Sequence, residues 1–324
     1  MELRSTESPF SIDDVTDFYI PGDNPRNGVY YPGRDVLLPE MQPLIINLVE
    51  QAKKKRLSDC TVSHQGRSFR CHYMPTAQGD YYIFRRMPNE ILTLKDLGLT
   101  SMITNQLLSP RLLKGGLIIV SGLPGNGKST TLGSIIVGRL NKFGGICITV
   151  EDPVEMPLQG NHGAGLCLQR SVTGEEAFSS AIRDALRAYP AKTAAMMMIG
   201  EVRDSETAAL ALRSAVDGRL VMVTMHAGNI VQSIHRLCSL AARVVSLDEV
   251  RELLASSFRL ALHQNLIPGF DGKNELRASV LMDTISVVGT IRQRNVSLDN
   301  LKNDIVQQQN LLKSNTPIEL RPID

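Results

Sequence analysis

The chain has 324 residues, with 35 basic and 33 acidic side chains and a net charge of +2. Its 43% hydrophobic content supports one large or two ordinary folded domains and excludes wholesale disorder. The balanced charge, with no tryptophan, seven tyrosines and eight phenylalanines, argues against a general nucleic-acid coat. Residues 1 to about 90 carry dense turn signals, PGDNPRNG from Pro21 and YPGRD from Tyr31, which punctuate short strands. Leu44, Ile45, Leu48, Val49 and Ala52 recur at helical spacing, and that helix should end near Lys53 to Arg56, where cations complement its C-terminal dipole. CTVSHQGRSFRCHYM and DYYIFRR alternate as a β-hairpin or meander. Residues 91–110 read as a linker with one amphipathic piece. From 111 to 324 the texture becomes α/β: short apolar runs begin at Gly116, Gly145, Ala194 and Arg219 with helical segments between them, the pattern of a parallel sheet with crossovers. From Asp248, DEVRELLASSFRLALHQNL reads as helix, with a turn at Pro268-Gly269 and a final helical segment, DNLKNDIVQQQNLLK.

The first residues lack an apolar core of a secretory signal, and no run reaches the eighteen or so apolar residues needed to cross a bilayer. Cys60, Cys71, Cys147, Cys167 and Cys238 are odd in number and form no C-x-x-C pair. They read as isolated small hydrophobes in a reducing, cytoplasmic protein.

The strongest motif is Gly122-Leu-Pro-Gly-Asn-Gly-Lys128-Ser129, which fits G-x-x-x-x-G-K-[ST] between an apolar strand and a helical pattern. Gly122, Gly125 and Gly127 let the backbone wrap so that amides point at phosphate oxygens, with Asn126 and Thr130 completing the stretch. The following helix offers its positive end to the same anion. Lys128 should reach the β- and γ-phosphates of ATP, and Ser129 should ligate Mg²⁺. Two later strands run into acids, Glu151-Asp152-Pro153-Val154-Glu155 and Glu201-Val-Arg203-Asp204. Parallel strands carry ligands at their C-terminal ends, so these carboxylates should face the γ-phosphate, one to orient or deprotonate water and one to hold Mg²⁺. Each acid taken alone also fits a helix N-cap. A fourth strand ends at His226, placed to sense or polarise the γ-phosphate, although a single histidine is more often structural. His64, His72, His162, His235 and His263 share no spacing.

These pieces in this order resemble the PilT/GspE family of secretion and pilus-motor ATPases. ITVEDPVEM from Ile148 resembles its aspartate box, MMIGEVRDSETA from Met197 its Walker B box and VTMHAGN from Val223 its histidine box. The resemblance implies a PAS-like α+β domain over 1–90 and a RecA-like P-loop ATPase domain with helical C-terminal extension over 111–324. It implies Glu151 as catalytic base, Glu201 as the residue of Mg²⁺ and water, and His226 as the histidine-box residue. Arg183 and Arg187 match arginines before Walker B. Arg70 and Arg85, with Arg86 as the alternative to Arg85, match arginines that reach a nucleotide, often across a subunit boundary; each also fits a solvated surface cation. The sequence departs from the family in Pro124 and Asn126 of the loop, in AYPAKTAA after Arg187, and in Arg219 before the histidine box. The family's four-cysteine zinc module is absent.

The implied function is a homohexameric ATP-hydrolysing motor of a type IV pilus, PilT-like in size and so of the retraction kind, or of a related secretion machine. A pilus assembly, type II or conjugation-linked secretion ATPase is the alternative. Its partner would be an inner-membrane platform protein, holding a cytoplasmic motor at the membrane without a span of its own. No nucleic-acid partner is expected. A nucleic-acid-driven P-loop motor and an ATP-binding regulatory subunit are the competing classes.

Overall fold

A computed structural model describes residues 15–32, 35–172, 177–191, 193–269 and 274–323. The expected absence of a leader and the centre of the turn at Gly33-Arg34 lie outside the described residues. The chain divides into two compact units: Met1–Glu90 with Pro153–Pro157 and Thr173–Glu175, and Ile91–Asp152 with Leu158–Val172 and Glu176–Asp324.

In the first unit, β1 (Asp17–Pro21), β2 (Val29–Tyr31) and β3 (Asp35–Val36) precede α1 (Gln42–Lys55), and β4 (Asp59–His64), β5 (Arg67–Thr76) and β6 (Gly79–Arg86) follow it. They form one antiparallel sheet in the order β3-β2-β1-β6-β5-β4. Alternation sends Phe18, Ile20, Val62, Phe69, Cys71 and Phe84 into one core with Leu44, Ile45, Leu48, Val49 and Ala52 of α1. Each fully buried large apolar side chain there stabilises the fold by about 1.5–3 kcal/mol. Three lysines occupy the last turn of α1, and Arg56 in the left-handed region ends it.

The second unit opens with α2 (Ser101–Leu107), within the stretch expected to be a linker. That stretch is packed instead. Leu94, Ile103 and Leu107 are buried, and the carbonyls of Leu107 and Ser109 accept from the buried Arg139 guanidinium. Then come β7 (Gly116–Ser121), α3 (Lys128–Phe143), β8 (Gly145–Glu151), β9 (Gly160–His162), β10 (Gly165–Ser171), α4 (Phe178–Leu186), β11 (Ala195–Ile199), α5 (Ser205–Val216), β12 (Leu220–Met225), α6 (Ile230–Ala241) and α7 (Leu247–Ser257). The chain continues through β13 (Phe258–Pro268), β14 (Asn274–Met282), α8 (Ile285–Arg292) and α9 (Leu301–Lys313). The sheet order is β14-β13-β7-β12-β11-β8-β10-β9, parallel from β13 to β10 and antiparallel at both edges. Leu117, Ile119, Ile148, Val150, Met197, Ile199, Val221 and Val223 pack with α4 to α7 on one face. Helix α3 packs against β7, β8, β10 and β12. Burial on both faces explains why these strands read as continuous apolar runs.

The helical reading of residues 258–266 is corrected: α7 stops at Ser257, and Phe258–Pro268 is a sheet strand beside β7. A short run buried on both faces has no period to distinguish strand from helix. The isolated reading of the cysteines is corrected too. Cys60 stands directly opposite Cys71 across β4 and β5, and Cys147 opposite Cys167 across β8 and β10. All five thiols are free. A hydrogen bond from Cys71 brings Cys60 down to about 7. Burial, with Cys167 beside it, pushes Cys147 far up.

Asp283, fully buried at the end of β14, holds the unit's C-terminal part together. It accepts a bidentate pair from Arg111 at 2.9 and 2.7 Å and a further bond from Arg321 at 3.3 Å, with Arg259 4.0 Å away. Burial raises its carboxyl against the pull of the three guanidiniums.

Candidate functional site

The parallel register sets the site. Met225 lies level with Ser121, Val223 with Ile199, and Ile199 with Val150. The C-terminal ends of β7, β12, β11 and β8 therefore share one edge, and each hands its next residues to that edge. The loop after β7 turns sharply into α3. Gly122 has φ +155°, and a Cβ there would stand 2.5 Å from the Gln264 carbonyl. Gly127 has φ +72° as the residue before α3. Asn126, one of the departures, braces the loop against β13. Its Nδ2 donates to Asn265 Oδ1 at 3.0 Å, its Oδ1 accepts from Leu266 N at 3.2 Å, and its carbonyl accepts from Gln264 Nε2 at 2.6 Å. Serine and threonine follow at the first turn of α3, where Ser129 and Thr130 are half-buried.

Lys128 is buried, with its ammonium folded back into the loop. Nζ donates to the carbonyls of Gly122 at 3.1 Å and Leu123 at 3.0 Å and approaches His226 Nδ1 at 3.4 Å. His226 Nε2 lies 3.4 Å from Glu201 Oε1. With the lysine donating to Nδ1, the proton of a neutral imidazole belongs on Nε2, directed at the carboxylate. Arg203 Nε donates to Glu201 Oε2 at 2.6 Å, and its Nη1 lies 3.5 Å from Asp152. A chain of contacts thus runs Lys128, His226, Glu201, Arg203, Asp152. Thr224 ties β12 to β11 through a hydroxyl bond to the Gly200 carbonyl.

Glu151 ends β8, beside Gly200, whose amide donates to the Val150 carbonyl at 2.8 Å. It is 2% exposed, and its Oε1 accepts from Thr149 Oγ1 at 2.6 Å and Gln169 Nε2 at 2.9 Å. His263 on β13 contacts Ser121 Oγ at 3.2 Å, and burial followed by the Lys128 charge pulls its imidazole below the ordinary value.

The structure therefore brings the loop, Lys128, His226, Glu201 and Glu151 to one strand edge. Arg187, at the end of α4, is exposed and makes no side-chain hydrogen bond or ion pair among the described residues. Arg183 is engaged with Glu206 at 2.7 Å. In the first unit, Arg70 and Arg85 face each other across β5 and β6. With Asp17, His72 and Ile83 they line an open concavity of about 180 Å³. Asp17 accepts from Arg85 Nε at 2.7 Å, and this bond raises the guanidinium's already high value. Arg70 lies 3.8 Å from Asp59, and Arg86 Nε donates to the Val15 carbonyl.

Gln169, Asn265 and Gln264 carry no motif and escape the sequence reading, because only sheet register places them; Thr149 lies within ITVEDPVEM but has no role assigned from sequence. Two departures also meet. The Arg219 guanidinium lies 5.6 Å from the ring of Tyr189, whose hydroxyl donates to the Met196 carbonyl. The lengthened segment and the replaced residue before the histidine box are one contact in the fold.

No helix among the described residues is long and apolar enough to cross a membrane. The family model described as Type II/IV secretion system protein matches residues 54–307. The type IV pilus retraction ATPase PilT of Pseudomonas aeruginosa is 32% identical over 235 residues, 71% of this chain and 64% of that protein. A twitching motility protein of Neisseria gonorrhoeae is 30% identical over 234 residues, 72% of this chain and 60% of its own length. The chain thus spans a little under two thirds of these curated relatives. The crystal structure of the pilus retraction motor PilT with bound ADP superposes with a TM-score of 0.71 at 26% identity, covering 93% of this chain and 86% of that one. By family match, sequence identity and fold together, the chain belongs to the PilT/GspE family of Type II/IV secretion system proteins.

Proposed function

We propose that the protein is an ATP-hydrolysing motor of a type IV pilus or related secretion machine, working as a homohexamer at the cytoplasmic face of the inner membrane. The observation that carries this reading is the meeting of a complete phosphate-binding loop with two carboxylates and a histidine on adjacent parallel strand ends. Lys128 is poised to exchange its bonds to the Gly122 and Leu123 carbonyls for phosphate oxygens. The amides of the loop and the first turn of α3 receive the rest of the polyphosphate, with Gly125, Asn126 and Thr130 along its path.

Among the described residues no cluster of three His, Cys, Asp or Glu could hold a metal by itself. That suits Mg²⁺, which takes few protein ligands and keeps water and phosphate oxygens. Ser129 would supply a hydroxyl and Glu201 a carboxylate acting through water; the bound ion would neutralise charge on the β- and γ-oxygens. Glu151 accepts the proton of the attacking water. His226 relays the state of the γ-phosphate to Glu201, and Arg187, Arg70 and Arg85 supply guanidiniums from elements outside the strand-end cluster. The retraction branch is favoured by the names of the relatives, a pilus retraction ATPase and a twitching motility protein. The partner is then an inner-membrane platform protein of the pilus.

Replacing Lys128 with Ala tests the loop. Binding of a fluorescent ADP analogue should weaken at least about 100-fold, because a charge-assisted contact to the phosphates is lost. Undiminished binding and turnover in that variant would sink the assignment.

A further inference from the structure

The side chains of Thr149, Glu151, Gln169 and Ser171 share one face of the sheet. Gln169 is level with Thr149, and Ser171 with Glu151, on neighbouring parallel strands. Glu151 itself is enclosed, and its Oε1 takes two hydrogen bonds from this face. The Gln169 amide has no freedom to turn. Its Oε1 accepts from the backbone amides of Leu158 and Gln159, both at 2.8 Å. Its own backbone amide donates to Gln159 Oε1 at 2.7 Å, so the two glutamines clasp each other. Leu158 is fully buried, which anchors the segment that supplies those amides.

This network fixes the orientation of the amide. A flipped Gln169 would set its NH₂ against two N–H donors and its oxygen against a carboxylate. The Nε2 donor is therefore held at Glu151 by groups that do not themselves touch the carboxylate.

We infer that Gln169, with Thr149, is a positioning residue that fixes the Glu151 carboxylate for proton abstraction from the attacking water. The inference rests on the proposed role of Glu151 as base. A hydroxyl and an amide on one oxygen fix the plane and direction of the carboxylate. Geometric error of the order of an ångström in such a group costs on the order of 100-fold in rate. The clamp also links the base to Leu158 and Gln159, so displacement of that segment would move the carboxylate directly.

The test compares steady-state ATP hydrolysis by the full chain carrying Gln169→Met, Gln169→Glu, Thr149→Val, Thr149→Ser or Glu151→Gln. Gln169→Met keeps the bulk without the donor, and Gln169→Glu keeps the shape with an acceptor in the donor's place. Both, and Thr149→Val, should lower kcat by about tenfold or more, the usual weight of a hydrogen bond to a charged group. KM for ATP should stay within about twofold, and Thr149→Ser, which restores the hydroxyl, should recover most of the rate. Wild-type kcat in Gln169→Met and Thr149→Val, alongside a dead Glu151→Gln, would overturn the positioning role and leave the base intact. A raised KM at unchanged kcat would overturn it as well, by assigning Gln169 to nucleotide binding. Full turnover in Glu151→Gln would overturn the reading of Glu151 itself and, with it, the reason for the clamp.

Discussion

The ends of β8 and β11 lie side by side, yet their carboxylates are held by opposite means. Glu201 sits between an imidazole and a guanidinium, and Arg203 continues to Asp152. Glu151 is sealed beneath the surface and takes a hydroxyl and an amide. A cation-bound, partly open carboxylate suits the outer sphere of a metal ion, whose water it can hold without leaving its partners. A buried carboxylate held by a hydroxyl and an amide suits proton abstraction, because its direction is fixed. Neighbouring carboxylates divide their labour through environment rather than through residue type. The two strands differ by a few residues at their ends, Thr149 before one carboxylate and Arg203 after the other.

The largest effect should separate the two roles. Replacing Glu151 with Gln should lower kcat by about 10²–10⁴-fold, with nucleotide affinity and magnesium dependence unchanged. Replacing Glu201 with Gln should also slow turnover but raise the Mg²⁺ concentration for half-maximal rate. Magnesium titrations of both variants check this, and identical magnesium curves would erase the distinction.

A smaller loss is expected from Arg85→Ala in the first unit. Turnover under assembly conditions should fall about 10- to 100-fold, the weight of one charged hydrogen bond to a phosphate. The fold should survive, because the Arg85 side chain is largely exposed and its pair with Asp17 adds little stability. Thermal unfolding and sedimentation alongside the rate measurement separate the two effects.

The smallest effect concerns His263, which contacts Ser121 just before the glycine loop. Its folded-state affinity for a proton is lowered by burial and then by Lys128, so the unfolded chain binds the proton more readily. Stability should therefore fall as pH drops below about 6.5, the ordinary histidine value, and stay level above it. Urea unfolding at several pH values should show that slope in the wild type and a shallower one in His263→Asn.

Much of this site was legible because its parts are contiguous. The glycine loop, Lys128 and Ser129 fall within eight residues, and Glu201 and Arg203 are neighbours in GEVRD. The α1 face was legible because one buried side of a helix leaves a period in sequence. Register leaves no such mark. Gln169 reaches Glu151 and Asn265 reaches Asn126 only because elements separated in sequence align. The sequence of β13 resembles a helix for the same cause, since a strand enclosed on both faces does not alternate. The Tyr189 and Arg219 departures looked independent until the fold put one over the other.

The role of Glu151 as base is tested most directly by phosphate release from radiolabelled ATP in a single turnover, comparing the wild type with Glu151→Gln at protein concentrations where both are shown to bind nucleotide. The wild type should release one equivalent of phosphate and the variant almost none on the same timescale. Equal release from both would contradict it.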